Sequence, residues 1–128
     1  HVVSINSCLQ VDLLGQVNAD TIGGKQYSGC GGQIEFVRGA QMSRGGMSFI
    51  TLPSTAKNGT VSRIIPHLET GTPVTTSRFD VQYICTEYGV VNLFGKTVSE
   101  RAEALIEIAH PDFRPALRRQ AVEEGLIW

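Results

Sequence analysis

Between Val2 and Ile22 apolar and polar residues alternate on both sides of Leu14-Gly15-Gln16, the period-two pattern of half-buried strands joined by a tight turn, and this predicts a β-hairpin. A glycine-rich stretch from Gly23 to Gly32 follows. Ile34, Val37 and Ala40 then predict a short helix over 33–40, opening directly off the Gly31-Gly32 pair. Met47 to Leu52 (MSFITL), ending at Pro53, has the β-rich run of a central strand. Asn58-Gly59 marks a turn before a second strand, Val61 to Ile65, which Pro66 stops. Two more extended pieces are expected at 74–77 and 81–86, the latter running into a turn at Tyr88-Gly89.

The last third of the chain changes period. Thr97 and Glu100 have the spacing of a capping box, after which Ala102, Leu105, Ile106 and Ala109 fall on one helical face. Pro111 ends that helix, Asp112 is expected to cap the next with Pro115 in its first turn, and Gly125 supplies the stop. Strands followed by helices, without repeats or a low-complexity linker, predict one α/β or α+β domain over 1–128 with two helices at its C-terminus.

Composition narrows the function classes. With 128 residues, 41% of them hydrophobic, and a net charge of -1, the chain suits one globular domain, with neither a basic face for nucleic acid nor a cationic amphipathic helix for a membrane. No apolar run reaches the roughly 20 residues of a membrane span and no signal-peptide pattern opens the chain, so a cytoplasmic location is expected. Cys8, Cys30 and Cys85 are odd in number and scattered, which predicts reduced thiols without a disulfide framework. Starting at His1 inside a β-branched run, the sequence reads as a piece of something longer.

Several residues are candidates for chemistry. A glycine-rich turn entering a helix exposes backbone N–H groups at a positive dipole end, suited to a phosphate, a carboxylate or a developing oxyanion. SGCGGQ matches neither GxGxxG nor GxxxxGK[ST], and the alternative is that its glycines only permit positive φ. Cys30 near that helix end is a candidate nucleophile, but chain order ties none of His1, His67 and His110 to it, and no pair of His and Cys has metal-ligand spacing. Lys57 in STAKNG sits where a cation reaches a phosphate or polarises a carbonyl, or is simply solvated. Glu87 in CTEYG ends an apolar strand, where desolvation raises a carboxyl pKa and suits acid–base work; satisfaction by backbone donors is the other reading. Asn58-Gly59-Thr60 is formally a glycosylation sequon, unused in a cytoplasmic chain.

The stretches VDLLGQVNAD, KQYSGCGGQIEFVRGA, SFITLPSTAKNGTVSRIIP, VTTSRFDVQYICTEYGV, LFGKT and ERAEALIEIAHPDFRPAL together resemble the C-terminal domain of the acetyl-CoA hydrolase/transferase family, in order and over almost the whole chain. The wording is most similar to the branch acting on 4-hydroxybutyrate and butyryl-CoA with acetate; the succinyl-CoA:acetate branch, with GGSGDF at the turn, is more distant. The resemblance implies a mixed central sheet with flanking helices, and a ping-pong exchange in which a glutamate upstream of this domain forms a mixed anhydride and then a glutamyl-CoA thioester. Gly31, Gly32, Gln33 and Ile34 would form a wall whose main-chain N–H groups meet the thioester carbonyl. Lys57 would contact CoA, Glu87 would support the site without being the nucleophile, Asn6 would line the pocket, and Cys30 would be a small neighbour.

The resemblance implies a parent enzyme that transfers CoA between short-chain carboxylates, with this piece inactive alone. Coenzyme A is then a substrate, and neither a metal nor a permanently bound cofactor is expected. The expected partners are acyl-CoA, a carboxylate, the parent's own N-terminal domain and further copies in a homo-oligomer. The rivals are an acyl-CoA hydrolase of the same family, a non-catalytic module holding CoA or another anion, and a thiol enzyme centred on Cys30.

Overall fold

The computed structural model describes residues 1–22, 25–29 and 31–128. Its centre is a four-stranded sheet, built from β1 (Val3–Ser7), β6 (Met47–Thr51), β10 (Tyr83–Thr86) and β11 (Gly89–Asn92) in the order β1-β6-β10-β11. β1 and β10 both run parallel to β6, which is therefore the central strand that MSFITL predicted, and β11 returns antiparallel through the Tyr88-Gly89 turn. Smaller ladders surround it. β2 (Gln10–Asp12) pairs with β3 (Val17–Asn18) and with β9 (Ile64–Ile65). β4 (Thr21–Ile22) pairs with β5 (Lys25–Gln26), and β7 (Thr55–Ala56) with β8 (Val61–Ser62). The helices are α1 (Gln33–Met42), α2 (Val98–Ile108) and α3 (Arg114–Glu123), the last two joined at the C-terminus by a 3₁₀ turn over Pro111–Phe113. The architecture is mixed α/β, as expected.

The hairpin predicted over Val2–Ile22 is only half present. Its turn holds because the buried Asp12 carboxylate accepts hydrogen bonds from the Leu14 and Gln16 amides, at 3.1 and 2.9 Å, so β2 and β3 do pair across it. The residues before Cys8 leave the hairpin: β1 pairs with β6, forty-odd residues on, with Ile5 beside Phe49 and Asn6 beside Ile50. The 61–65 strand breaks at Arg63 into β8 and β9, and 74–77 contributes only a bridge between Val17 and Thr76. Lys57, Asn58 and Gly59 all take positive φ at the tip of the β7–β8 hairpin, which confirms the Asn58-Gly59 turn.

The core is one cluster that joins Val37 of α1 and Leu105 and Ile106 of α2 to Ile50 and Ile84 of the sheet. The α2 capping box is present, with Glu100 N–H donating to Thr97 Oγ1 and Thr97 N–H to Glu100 Oε1. Thr97→Ala is expected to cost about 1 kcal/mol, read from the urea midpoint. At the other junction the expected cap is corrected: the His110 ring, not Asp112, accepts a backbone N–H, that of Asp112 itself. Asp112 lies inside the 3₁₀ turn, and α3 opens at Phe113 without a side-chain cap. Gly125, at φ +74°, follows the end of α3 as predicted. No helix among the described residues is long and apolar enough to cross a membrane.

Candidate functional site

Three parallel strands end on the same side of the sheet, and ligands in open α/β sheets gather at such carboxyl ends. Asn6 and Ser7 end β1, Thr51 ends β6, and Thr86 ends β10, with Glu87 directly after it. The N-terminus of α1 is drawn to this edge by the buried side chain of Gln33, whose Nε2 donates to Ser7 O at 3.1 Å while its Oε1 accepts from the Thr76 hydroxyl at 2.6 Å. One amide thus ties a helix start to a strand end and to a loop. Arg38 makes a second tie, pairing in two contacts of 3.0 and 3.2 Å with Asp80.

Gly32 is the residue before α1 and makes no side-chain cap. The first helix-internal bond is Phe36 N–H to Gly32 O, so the Gln33, Ile34 and Glu35 amides have no helical acceptor, and none accepts from them among the described residues. These amides stand at the positive end of the helix dipole, next to Gly31, exposed at φ +57°, where an added Cβ would meet nothing within 4 Å. Gly31 is the open member of the glycine pair; at Gly32 an added Cβ would lie 3.2 Å from the Phe36 ring. Cys30 lies outside the described residues.

Of the two readings of Glu87, the structure favours backbone donors. Burial pushes its carboxyl up, but backbone hydrogen bonds from its own amide and from Ser54, whose N–H lies 2.8 Å from Oε1, outweigh that and hold it below its ordinary value of 4.5. The nearby His110 lowers it further. The fully buried Ser54 hydroxyl lacks good hydrogen-bond geometry, though it lies close enough to the carboxylate to add to the lowering. A depressed carboxyl contributes stability above its unfolded pKa and loses it as pH falls through the folded one. The wild-type advantage over Glu87→Gln in thermal midpoint is thus expected to be full near neutrality and to vanish in acid; carboxyl NMR titration reads the lowered pKa directly.

Asn6 is half-buried, and its Nδ2 is a buried donor with no partner in the described structure. An unsatisfied donor of this kind costs about 1–3 kcal/mol. Lys57 lies apart from the strand ends. It is exposed at the β7–β8 tip and lines a hollow of about 370 Å³ with Arg63, Leu9, Gln10 and Thr21, a hollow that includes neither Glu87 nor the α1 start. The link between the two places is Ser54, which donates to Glu87 and accepts from the Arg63 amide at 2.9 Å just before β7.

Sequence reasoning missed the Gln33 brace, Ser54 and Arg63. An arginine inside the apolar VSRIIP run was the available signal for Arg63, whose guanidinium bonds Leu9 O at 3.0 Å and Thr55 O at 3.3 Å. Of the thiols, Cys8 and Cys85 are free, and burial pushes Cys8 up to about 12, beyond any nucleophilic use at neutral pH. No group of three or more His, Cys, Asp or Glu side chains converges among the described residues.

Residues 1–121 match the family model described as the acetyl-CoA hydrolase/transferase C-terminal domain. The chain is 59% identical over 120 residues to the 4-hydroxybutyrate coenzyme A transferase of Clostridium kluyveri, covering 94% of the chain and 28% of that protein. It is 51% identical over 131 residues to the butyryl-CoA:acetate CoA-transferase of Anaerostipes caccae, covering 100% of the chain and 29% of that protein. The crystal structure of RipA from Yersinia pestis superposes with a TM-score of 0.92 at 56% identity, covering 98% of this chain and 28% of RipA. The chain thus spans little more than a quarter of the length of these relatives.

Proposed function

Because the chain belongs to the acetyl-CoA hydrolase/transferase family through its C-terminal domain, we propose that it supplies the acyl-holding wall of a CoA-transferase acting on short-chain acids of the 4-hydroxybutyrate, butyrate and acetate type. The observation that carries this reading is the set of open main-chain donors at Gln33 and Ile34, braced beside Gly31 and Gly32 at the strand ends that Asn6 and Glu87 share. Donors fixed where charge develops are the largest single contribution in many acyl transfers, and these need no rearrangement to act.

The chemistry follows from that wall. A glutamate carboxylate from polypeptide outside these residues attacks the acyl-CoA carbonyl, whose oxygen becomes negative against the α1 amides; the CoA thiolate leaves, then attacks the glutamyl carbonyl of the anhydride, giving a glutamyl-CoA thioester and releasing the first acid as its carboxylate. A second carboxylic acid reverses these steps. Asn6 Nδ2 offers a further donor to the acyl or CoA portion, and Lys57 with Arg63 gives the neighbouring hollow the positive charge that suits the CoA phosphates. Glu87 is a fixed anion that orders the Ser54 turn and supports the site.

The test uses relative-length enzyme given butyryl-CoA and acetate. Acetyl-CoA and butyrate should form in equal amounts with little free thiol. Steady release of free CoA assigns the hydrolase instead, and CoA binding without turnover assigns a binding module.

A further inference from the structure

The central sheet has one covered and one open face. On the open face the register sets Val3 beside Met47 and Ile5 beside Phe49, then Phe49 beside Tyr83 and Cys85 beside Val90. These positions are apolar and carry no charge, yet Ile5 is 70% exposed, Val3 55% and Val90 51%. The half-buried Phe49 and Tyr83 rings stack at 4.8 Å on this side. Parallel sheets are normally covered on both faces, so such a surface is unusual in a finished molecule.

The outer edge of β1 is equally open. Val2 O accepts from Met47 N–H and Cys8 N–H donates to Thr51 O, so even-numbered residues point their backbone groups at β6. Odd-numbered residues point theirs away. The outward Ser7 O is taken by Gln33, which leaves the N–H and C=O groups of Val3 and Ile5 facing outward. Natural proteins blunt such edges with lysine, proline or a bulge, and VSINS has none of these. Alongside it runs a groove of about 360 Å³ lined by β1 and by Phe36 of α1, whose ring is 65% exposed.

We propose that β1 is an interior strand of a wider sheet, completed by an extended apolar strand from the polypeptide that in the relatives lies outside the matched segment, with an apolar layer of that same polypeptide over the open face. The occupant is argued from length: the matched segment is 28% of the Clostridium kluyveri protein and 28% of RipA, so most of each molecule remains to cover it. A strand supplies the outward amides with acceptors, and its alternate side chains reach Phe36 and Ile5.

Amide hydrogen exchange on relative-length protein, read residue by residue, tests this. The Val3 and Ile5 amides should exchange within about 10-fold of Ser4 and Asn6, and at least about 100-fold slower than the unstructured rate. Exchange of Val3 and Ile5 near the unstructured rate, with Ser4 and Asn6 protected, overturns the proposal. Protection of Val3 and Ile5 that disappears on dilution to the single-copy state assigns the edge to a second copy and also overturns it.

Discussion

Gly46→Ala is expected to destabilise the protein by about 3 kcal/mol, while Gly39→Ala, seven residues earlier, is expected to stabilise it by about 0.5–1 kcal/mol. Gly46 sits where the chain leaves α1 for β6, and a Cβ there would lie 1.8 Å from Ala40 O and 2.9 Å from Val2 O. Both are backbone atoms, and Val2 O is already held by Met47 N–H, so neither side yields without separating β1 from β6. Gly39 lies exposed within α1, and its added methyl would meet nothing within 4 Å. That substitution removes the entropy cost of a mid-helix glycine at no steric expense. Denaturant midpoints of the two variants measure the contrast, and equal shifts would contradict the close approach described for Gly46.

Gly31→Val in relative-length enzyme is expected to lower kcat by about 100-fold or more, the loss typical of one blocked donor at a developing oxyanion. The branched side chain would enter the open space beside Gly31, two residues before the first α1 amide. It also carries a cost for positive φ, which a control must separate from the effect on chemistry. Gly71→Val supplies it: Gly71 has φ +88°, no neighbour within 4 Å of an added Cβ, and no place in the proposed site. Both variants should lose similar stability, and only Gly31→Val should lose turnover. Loss of turnover in both would remove the glycine wall from the mechanism.

What the sequence made legible was local. The Thr97–Glu100 capping box, the Asn58-Gly59 turn, the stop at Gly125 and the start of α1 off a glycine pair each depend on residues within one turn of each other, and each is found. The errors come from distance. Alternation from Val2 onward showed a strand but not its partner, and β1 pairs across more than forty residues with β6 instead of folding back on β2. Asp112 does not cap α3 because it is taken into the 3₁₀ turn over Pro111–Phe113, where the His110 ring accepts its amide. For Glu87, the pattern suggested a desolvated carboxylate at a strand end, but the residue is exposed, and the donor that holds its charge, the Ser54 amide, lies 33 residues away in sequence. Of the residues named from the sequence, Asn6 and Glu87 lie at the ends of parallel strands and Gln33 is tied to the end of β1. That the Gln33 side chain braces α1, while Lys57 opens onto a separate hollow, required three-dimensional placement.

The Ser54 amide's grip on Glu87 also limits what can happen at the strand ends. A carboxylate held below its ordinary pKa has no proton to lend near neutrality, so on the proposed mechanism Glu87 is not the source of any hydrogen ion exchanged during turnover. The same permanent charge repels an incoming acid anion on one flank, which leaves the dipole-positive opening of α1 as the favoured approach.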